Sequence, residues 1–306
     1  MEDSRITYSQ AGIAAALGAY ILWGILPVYW KLIHAVTAYE ILAHRIIWSF
    51  VFMLLILLVS GKFTSFWAEA RQIVAEPRKL FGITMASLLI SINWLTYIWA
   101  VNDNRIVETS LGYYMNPLVS VLLGIGVLKE RLSFWQKVSF GLAFLGVMNM
   151  LVQLGSLPWV ALVLAVSFAL YGMCKKMVSV GPFTGITLET LIVSPIALVY
   201  LASQYKNGLP QILVDSPITL GLLAGTGIIT AVPLILFAQG ANKLSLTILG
   251  FLQYVSPTIA LLLGVLLYHE AFTTVHWISF SFIWGALVIF SMAKTRMFVQ
   301  LKAKLF

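Results

Sequence analysis

The chain has 306 residues, of which 60% are hydrophobic and 10% charged. Soluble domains carry about 25% charged residues, so this composition excludes an ordinary soluble globular protein. A net charge of +8 would suit nucleic acid in a soluble protein, but in a membrane protein it follows from the bias of Lys and Arg toward the cytoplasmic loops; the one cysteine, Cys174, excludes an intrachain disulfide and any C-x-x-C redox or metal site.

The N-terminal "MEDSRITYSQ" is short and polar and has no small-residue cleavage site, so the first apolar run is expected to be retained. Runs of about 20 apolar residues, the length that crosses the hydrocarbon core as a helix, then follow one another. They predict ten spans, over residues 10–30, 41–60, 79–101, 107–128, 134–153, 157–174, 184–203, 217–238, 246–268 and 275–293. The fold class is therefore an all-α polytopic membrane protein with ten transmembrane helices. The longest connection, 61–78, carries Lys62, Glu69, Arg71, Glu76 and Arg78 and predicts a short surface helix led by Phe66 and Trp67.

With the N-terminus inside, only Lys31, Arg45, Arg105 and Lys206 of the 19 Lys and Arg fall outside. The bias places both termini in the cytoplasm.

The chain also repeats itself. "NPLVSVLLGIGVLKE" (116–130) and "SPTIALLLGVLLYHE" (256–270) align at a shift of 140, matching Pro117 with Pro257, Gly124 with Gly264 and Glu130 with Glu270. Glu40 corresponds to Glu189 at a shift of 149, and Trp23-Gly24 to Tyr171-Gly172 at a shift of 148. Two five-helix repeats are expected, 1–153 and 154–306, the second with a short cytoplasmic tail. Five is odd, so the second repeat enters the membrane inverted, the architecture many secondary transporters use for alternating access.

The stretches "AYILWGILPVYWKL" (19–32), "EILAHRIIWSF" (40–50), "NWLTYIWAVN" (93–102), "ETSLGYYMNPL" (108–118) and "LGFLQYVSPT" (249–258) carry a resemblance. Together they resemble the RarD-type branch of the EamA family, within the drug/metabolite transporter superfamily, over nearly the whole chain. The resemblance implies a bacterial inner-membrane permease with two five-helix EamA repeats. The branch takes its name from chloramphenicol sensitivity.

Polar residues at membrane depth need a cavity or a partner, because lipid cannot solvate them. Arg45 lies about five residues past Glu40, so roughly 7–8 Å deeper at 1.5 Å per residue. It either snorkels to the interface or lines the outward mouth of a cavity, pairing with Glu40 or Glu108 or attracting an anionic group. Glu40 and His44 share a helix face, and Trp48 follows His44 by four, polar above and aromatic below. Glu189 is a candidate proton carrier; the competing reading is an acid favoured by a helix N-terminus.

The third and fourth spans hold Asn93, Trp94, Tyr97, Tyr113, Asn116 and Pro117, and the ninth holds Gln253, Tyr254, Ser256 and Pro257. Each proline removes a backbone donor, and freed carbonyls can line a cavity. These clusters, with Trp23, are expected to flank a solute. The competing reading is hydrogen-bonded glue between helices. Gly221 and Gly225 form a G-x-x-x-G pair that predicts close helix packing in the eighth span.

No Walker motif is present, which excludes ATP hydrolysis by this chain. The expected function is a secondary permease of a small metabolite or drug-like solute. The rivals are a polytopic enzyme acting on lipid and a channel or receptor. The expected partners are a small-molecule solute and membrane lipid, with protons as candidate coupling ions, no nucleic acid, no cofactor and no metal, in a monomer or weak homodimer.

Overall fold

The structure, a computed structural model, describes residues 9–103, 106–154, 158–206, 208, 216–267 and 273–293. Its helices in chain order are α1 (Gln10–Leu32), α2 (Ala38–Val59), α3 (Phe63–Ala75), α4 (Pro77–Asn102), α5 (Ile106–Gly126) and α6 (Phe134–Leu154). They continue with α7 (Trp159–Val178), α8 (Pro182–Gln204), α9 (Pro217–Lys243), α10 (Leu246–Gln253), α11 (Val255–Leu267) and α12 (Thr274–Met292). Among the described residues, nine helical stretches are long and apolar enough to cross a membrane, α10 and α11 together forming one of them. The stretch expected at 107–128 supplies a shorter apolar helix, Leu111–Gly126.

Local chemistry sets several starts. The Ser9, Thr37, Ser216 and Ser245 side chains accept from the backbone N–H groups of Gly12, Glu40, Thr219 and Ile248. Each satisfies an orphan donor of a first turn. Proline opens α8 and α9, where its missing N–H costs nothing. Pro117 is tolerated inside a continuous α5. In the second half the helix instead breaks at Tyr254, three residues before Pro257, and Tyr254 N–H turns back to the Phe251 carbonyl at 3.3 Å.

The connection after α2 does form a helix, α3. Its Phe66, Ala70 and Ile73 pack on Leu57, Ile83 and Leu188, while Trp67 is exposed. One face of the bundle is therefore marked by α3. Glu69 on α3 reaches Gly181, Lys176 reaches Leu244, and Glu130 reaches Leu246, so these residues share it. The opposite face gathers Ile33, Val36, Ala38 and Leu223.

The main helix contacts come in related couples. α4 packs on α7 as α1 packs on α9; α5 packs on α7 as α11 packs on α1; α9 packs on α2 as α8 packs on α4. The pairs α2–α8, α6–α12 and α5–α10 stand between the two halves.

The backbone-to-backbone contact of α9 lies at a glycine outside the expected pair. A Cβ on Gly227 would lie 2.3 Å from the Trp48 carbonyl oxygen, so α9 and α2 touch backbone to backbone there. A Cβ on Gly221 would meet nothing within 4 Å, and one on Gly225 would meet the Tyr29 hydroxyl. The G-x-x-x-G spacing therefore pointed at the right helix, and Gly225 admits the Tyr29 side chain, but the backbone contact lies at Gly227.

Candidate functional site

Arg45, on the buried face of α2, is only 4% exposed. It does not reach out to the interface. Its guanidinium carbon lies 4.3 Å from the Trp94 ring centroid and 4.7 Å from that of Trp30. Its Nε–H donates to Thr230 Oγ1 on α9 at 3.1 Å. Tyr97 and Tyr113 stand within electrostatic range, and their rings meet edge to face with centroids 5.5 Å apart.

Of the two carboxylate partners expected for Arg45, Glu40 is engaged elsewhere, and the Glu108 side chain lies outside the described residues. The Glu40 carboxylate, also buried, instead accepts from the Tyr205 hydroxyl at the end of α8. The same hydroxyl lies 2.9 Å from His44 Nε2. Because the phenol proton is committed to Glu40, His44 Nε2 is the donor in that contact. Burial, then the bond to Glu40, push the Tyr205 hydroxyl above the usual phenol range, so it remains a donor at neutral pH. Glu40, His44 and Tyr205 thus tie α2 to α8 on the face away from α3. Glu108 lies in α5, and its side chain lies outside the described residues. Trp48 is 37% exposed.

The two asparagines act between helices. Asn93 Nδ2 donates to the Leu164 carbonyl and to Ser167 Oγ, both at 2.9 Å. Asn116 Nδ2 donates to the Ala165 carbonyl at 2.6 Å, and its Oδ1 accepts from Ser120. Both bind α7, from α4 and α5. Trp23 packs among Tyr20, Phe168 and Phe237.

Near the break between α10 and α11, the Tyr114 hydroxyl donates to the Pro257 carbonyl at 3.0 Å, and the Tyr114 and Tyr254 rings stack. The Tyr254 hydroxyl and Thr247 Oγ1 are buried with no hydrogen-bond partner among the described residues. Gln253 lines a small cavity with Tyr20, Ser120, Phe168 and Phe237. That cavity has about 10 Å³ of room, space for about one water.

A second cavity of similar size, on the α3 face, is lined by Cys174, Lys175, Gly185 and Glu189. Lys175 Nζ is 2.6 Å from Glu189 Oε1, and the Tyr171 hydroxyl donates to Glu189 Oε2 at 3.2 Å. Glu189 is therefore a buried ion-pair partner. It lies seven positions beyond the first residue of α8, too far in to be that helix's capping acid.

Two acids that sequence reading left without a role do cap helices. Glu130 accepts from the Leu246 and Thr247 N–H groups at the start of α10. Glu69 accepts from Gly181 N–H and the Thr184 hydroxyl at the start of α8. An anion at a helix N-terminus is favoured by the backbone dipoles. The repeat match at Glu130 was the signal that could have found the first; nothing in the sequence marked Glu69.

With this geometry in hand, the EamA-like transporter family model matches twice, over residues 10–152 and 157–292. The chain belongs to the EamA-like transporter family. Its RarD-type character follows from its relatives. It is 46% identical over 288 residues to an uncharacterized transporter, YojE, of Bacillus subtilis, covering 94% of this chain and 96% of that one. It is 41% identical over 285 residues to the RarD protein of Escherichia coli, covering 93% and 95%. A chloramphenicol-sensitive protein RarD of Pseudomonas aeruginosa is 28% identical over 281 residues, covering 92% and 93%. A solved crystal structure shares the fold at a TM-score of 0.69 with 18% identical residues, covering 94% of this chain and 98% of that one. This EamA-like chain is a membrane transporter and a multi-pass bacterial membrane protein.

Proposed function

We propose that the chain is a secondary permease, not an enzyme, that moves a small metabolite or drug-like solute by alternating access. Its halves, 1–153 and 154–306, act as inverted repeats of five spans each. The observation that carries this reading is the pairing of interfaces: helices of one half meet the other through couples that exchange when the halves are exchanged. Such an assembly has two equivalent ways to rock about α2–α8, α5–α10 and α6–α12, and so can expose a central site to either side in turn.

In this reading the α3 face is cytoplasmic, in line with the Lys and Arg bias, and the membrane is the bacterial inner one. In that reading the Glu130 and Glu69 contacts hold the two halves together on the cytoplasmic side. The Lys175–Glu189 pair lies on the same side, and protonation of Glu189 would release Lys175, which makes the pair the candidate coupling element.

Counterflow in proteoliposomes tests the proposal. Unlabelled solute loaded inside should drive transient uptake of labelled solute against its gradient. A solute that crosses saturably without counterflow would indicate a channel and sink alternating access. For topology, an impermeant thiol reagent should reach a cysteine at Lys62 from the cytoplasmic side alone; labelling from outside would invert the assignment.

A further inference from the structure

We propose that Arg45 anchors an oxyanion on the transported solute, a carboxylate or a phosphoryl group. This deepens the permease reading and rests on it. The charge sits seven residues into α2, roughly 10 Å along its axis. A cation there is costly to bury unless paired, yet Arg45 is 4% exposed and has no carboxylate partner among the described residues. Glu40 is engaged by Tyr205 instead.

A guanidinium has five N–H donors. Among the described residues only Nε–H is spoken for, by Thr230. Trp30 and Trp94 lie against the cation within cation–π range. They hold it in place without supplying an acceptor, so the two terminal amino groups have none among the described residues. The Tyr97 and Tyr113 hydroxyls, in electrostatic range of the guanidinium, likewise have no hydrogen-bond partner among the described residues. One forked cation and two phenol donors, contributed by α2, α4 and α5, thus lie within electrostatic range of one another, with no carboxylate on the cation among the described residues. The planar fork suits the paired oxygens of a carboxylate or phosphoryl group.

The site is single. Arg45 aligns with Ser194 in the second half, and that hydroxyl is turned back to the Thr190 carbonyl at 2.7 Å. The anion would therefore be held on one side of the pseudo-symmetric core and released when the halves rock.

The test uses purified full-length protein in lipid nanodiscs with four probes at matched ionic strength: benzoate, phenyl phosphate, inorganic phosphate and neutral benzamide. Benzoate or phenyl phosphate should raise the unfolding temperature and shift tryptophan emission, and benzamide should do neither. A response to inorganic phosphate alone would assign the site to the free anion; a response only to the ring-bearing anions would assign it to an organic acid. Arg45→Lys should weaken the response at least tenfold. Wild-type protein that responds equally to benzamide and benzoate, or to no anion, overturns the proposal even if the variant fails to fold. Flux separates the two readings. Anion binding without flux keeps the site and removes the permease; counterflow of a neutral solute, unaffected by the anions, does the reverse.

Discussion

Glu130, in the turn after α5, accepts the backbone N–H of Leu246 at 2.7 Å, the first residue of α10 in the other half. Its second oxygen accepts Thr247 N–H at 2.9 Å. One carboxylate thus joins the two halves on the α3 face and meets two of the four N–H groups that a helix start leaves unpaired.

Replacing it should loosen that face. Glu130→Ala removes both acceptors and the charge, at a cost of about 1–2 kcal/mol by analogy with other helix caps. Glu130→Gln keeps one acceptor and should fall between. Gly124→Ala attacks the same contact from behind, because its Cβ would lie 2.8 Å from Glu130 Oε2. Thermal unfolding in detergent should rank the three proteins wild type, E130Q, E130A. An E130A protein as stable as wild type would show that the contact holds nothing.

The Lys175–Glu189 pair makes a different prediction. Both side chains are buried, so removing one leaves an uncompensated charge, at a cost of about 3–5 kcal/mol. Lys175→Met and Glu189→Gln should not cost the same. K175M leaves a carboxylate whose only other partner among the described residues is the Tyr171 hydroxyl; E189Q leaves an amide that can still accept from Lys175. The double variant should recover much of the K175M loss. A double-mutant cycle on unfolding free energy gives the coupling directly, and a coupling near zero would rule out a functional ion pair.

The span plan was readable in the sequence because a bilayer fixes the length of an apolar helix, and α3 was readable because charged residues interrupt that pattern. The break at Tyr254 was foreshadowed by Pro257, although the matching Pro117 leaves α5 whole. The site was readable only in its residue types. Asn93 and Asn116 stood out as amides in lipid, but their partners are carbonyls of Leu164 and Ala165, and an apolar residue's carbonyl leaves no mark in sequence. Tyr205 was missed for a related reason. It lies just past the end of α8, where an aromatic residue reads as an interfacial anchor, and only the fold brings it to Glu40 and His44.

Glycine 227 offers a clean packing test. Gly227→Ala would drive a Cβ into the Trp48 carbonyl carbon and oxygen, at 2.4 and 2.3 Å, and backbone cannot swing aside as a side chain can. Separating α9 from α2 would also strain the Arg45–Thr230 bond. The expected loss is about 1–3 kcal/mol or more, as for other overpacked sites. Gly221→Ala, on the same helix with open space around it, should be neutral or slightly stabilising through helix propensity. Equal stabilities for the two variants would contradict the backbone contact.

Asn93 decides between solute contact and helix glue. Its amide already donates to two acceptors on α7 and is 1% exposed. Interhelical bonds in membranes average about 0.6 kcal/mol and reach about 1.7. Asn93→Leu should therefore lower stability by about 1 kcal/mol, leaving the Leu164 carbonyl and Ser167 hydroxyl to find other partners. If the amide serves only to bind α7, counterflow per folded molecule should stay within about twofold of wild type, and Asn93→Ser, which keeps a donor, should recover part of the stability. If instead N93L unfolds at the wild-type temperature and loses counterflow, the amide must turn from α7 toward the solute during the cycle, and the bonds seen here belong to one state of it alone.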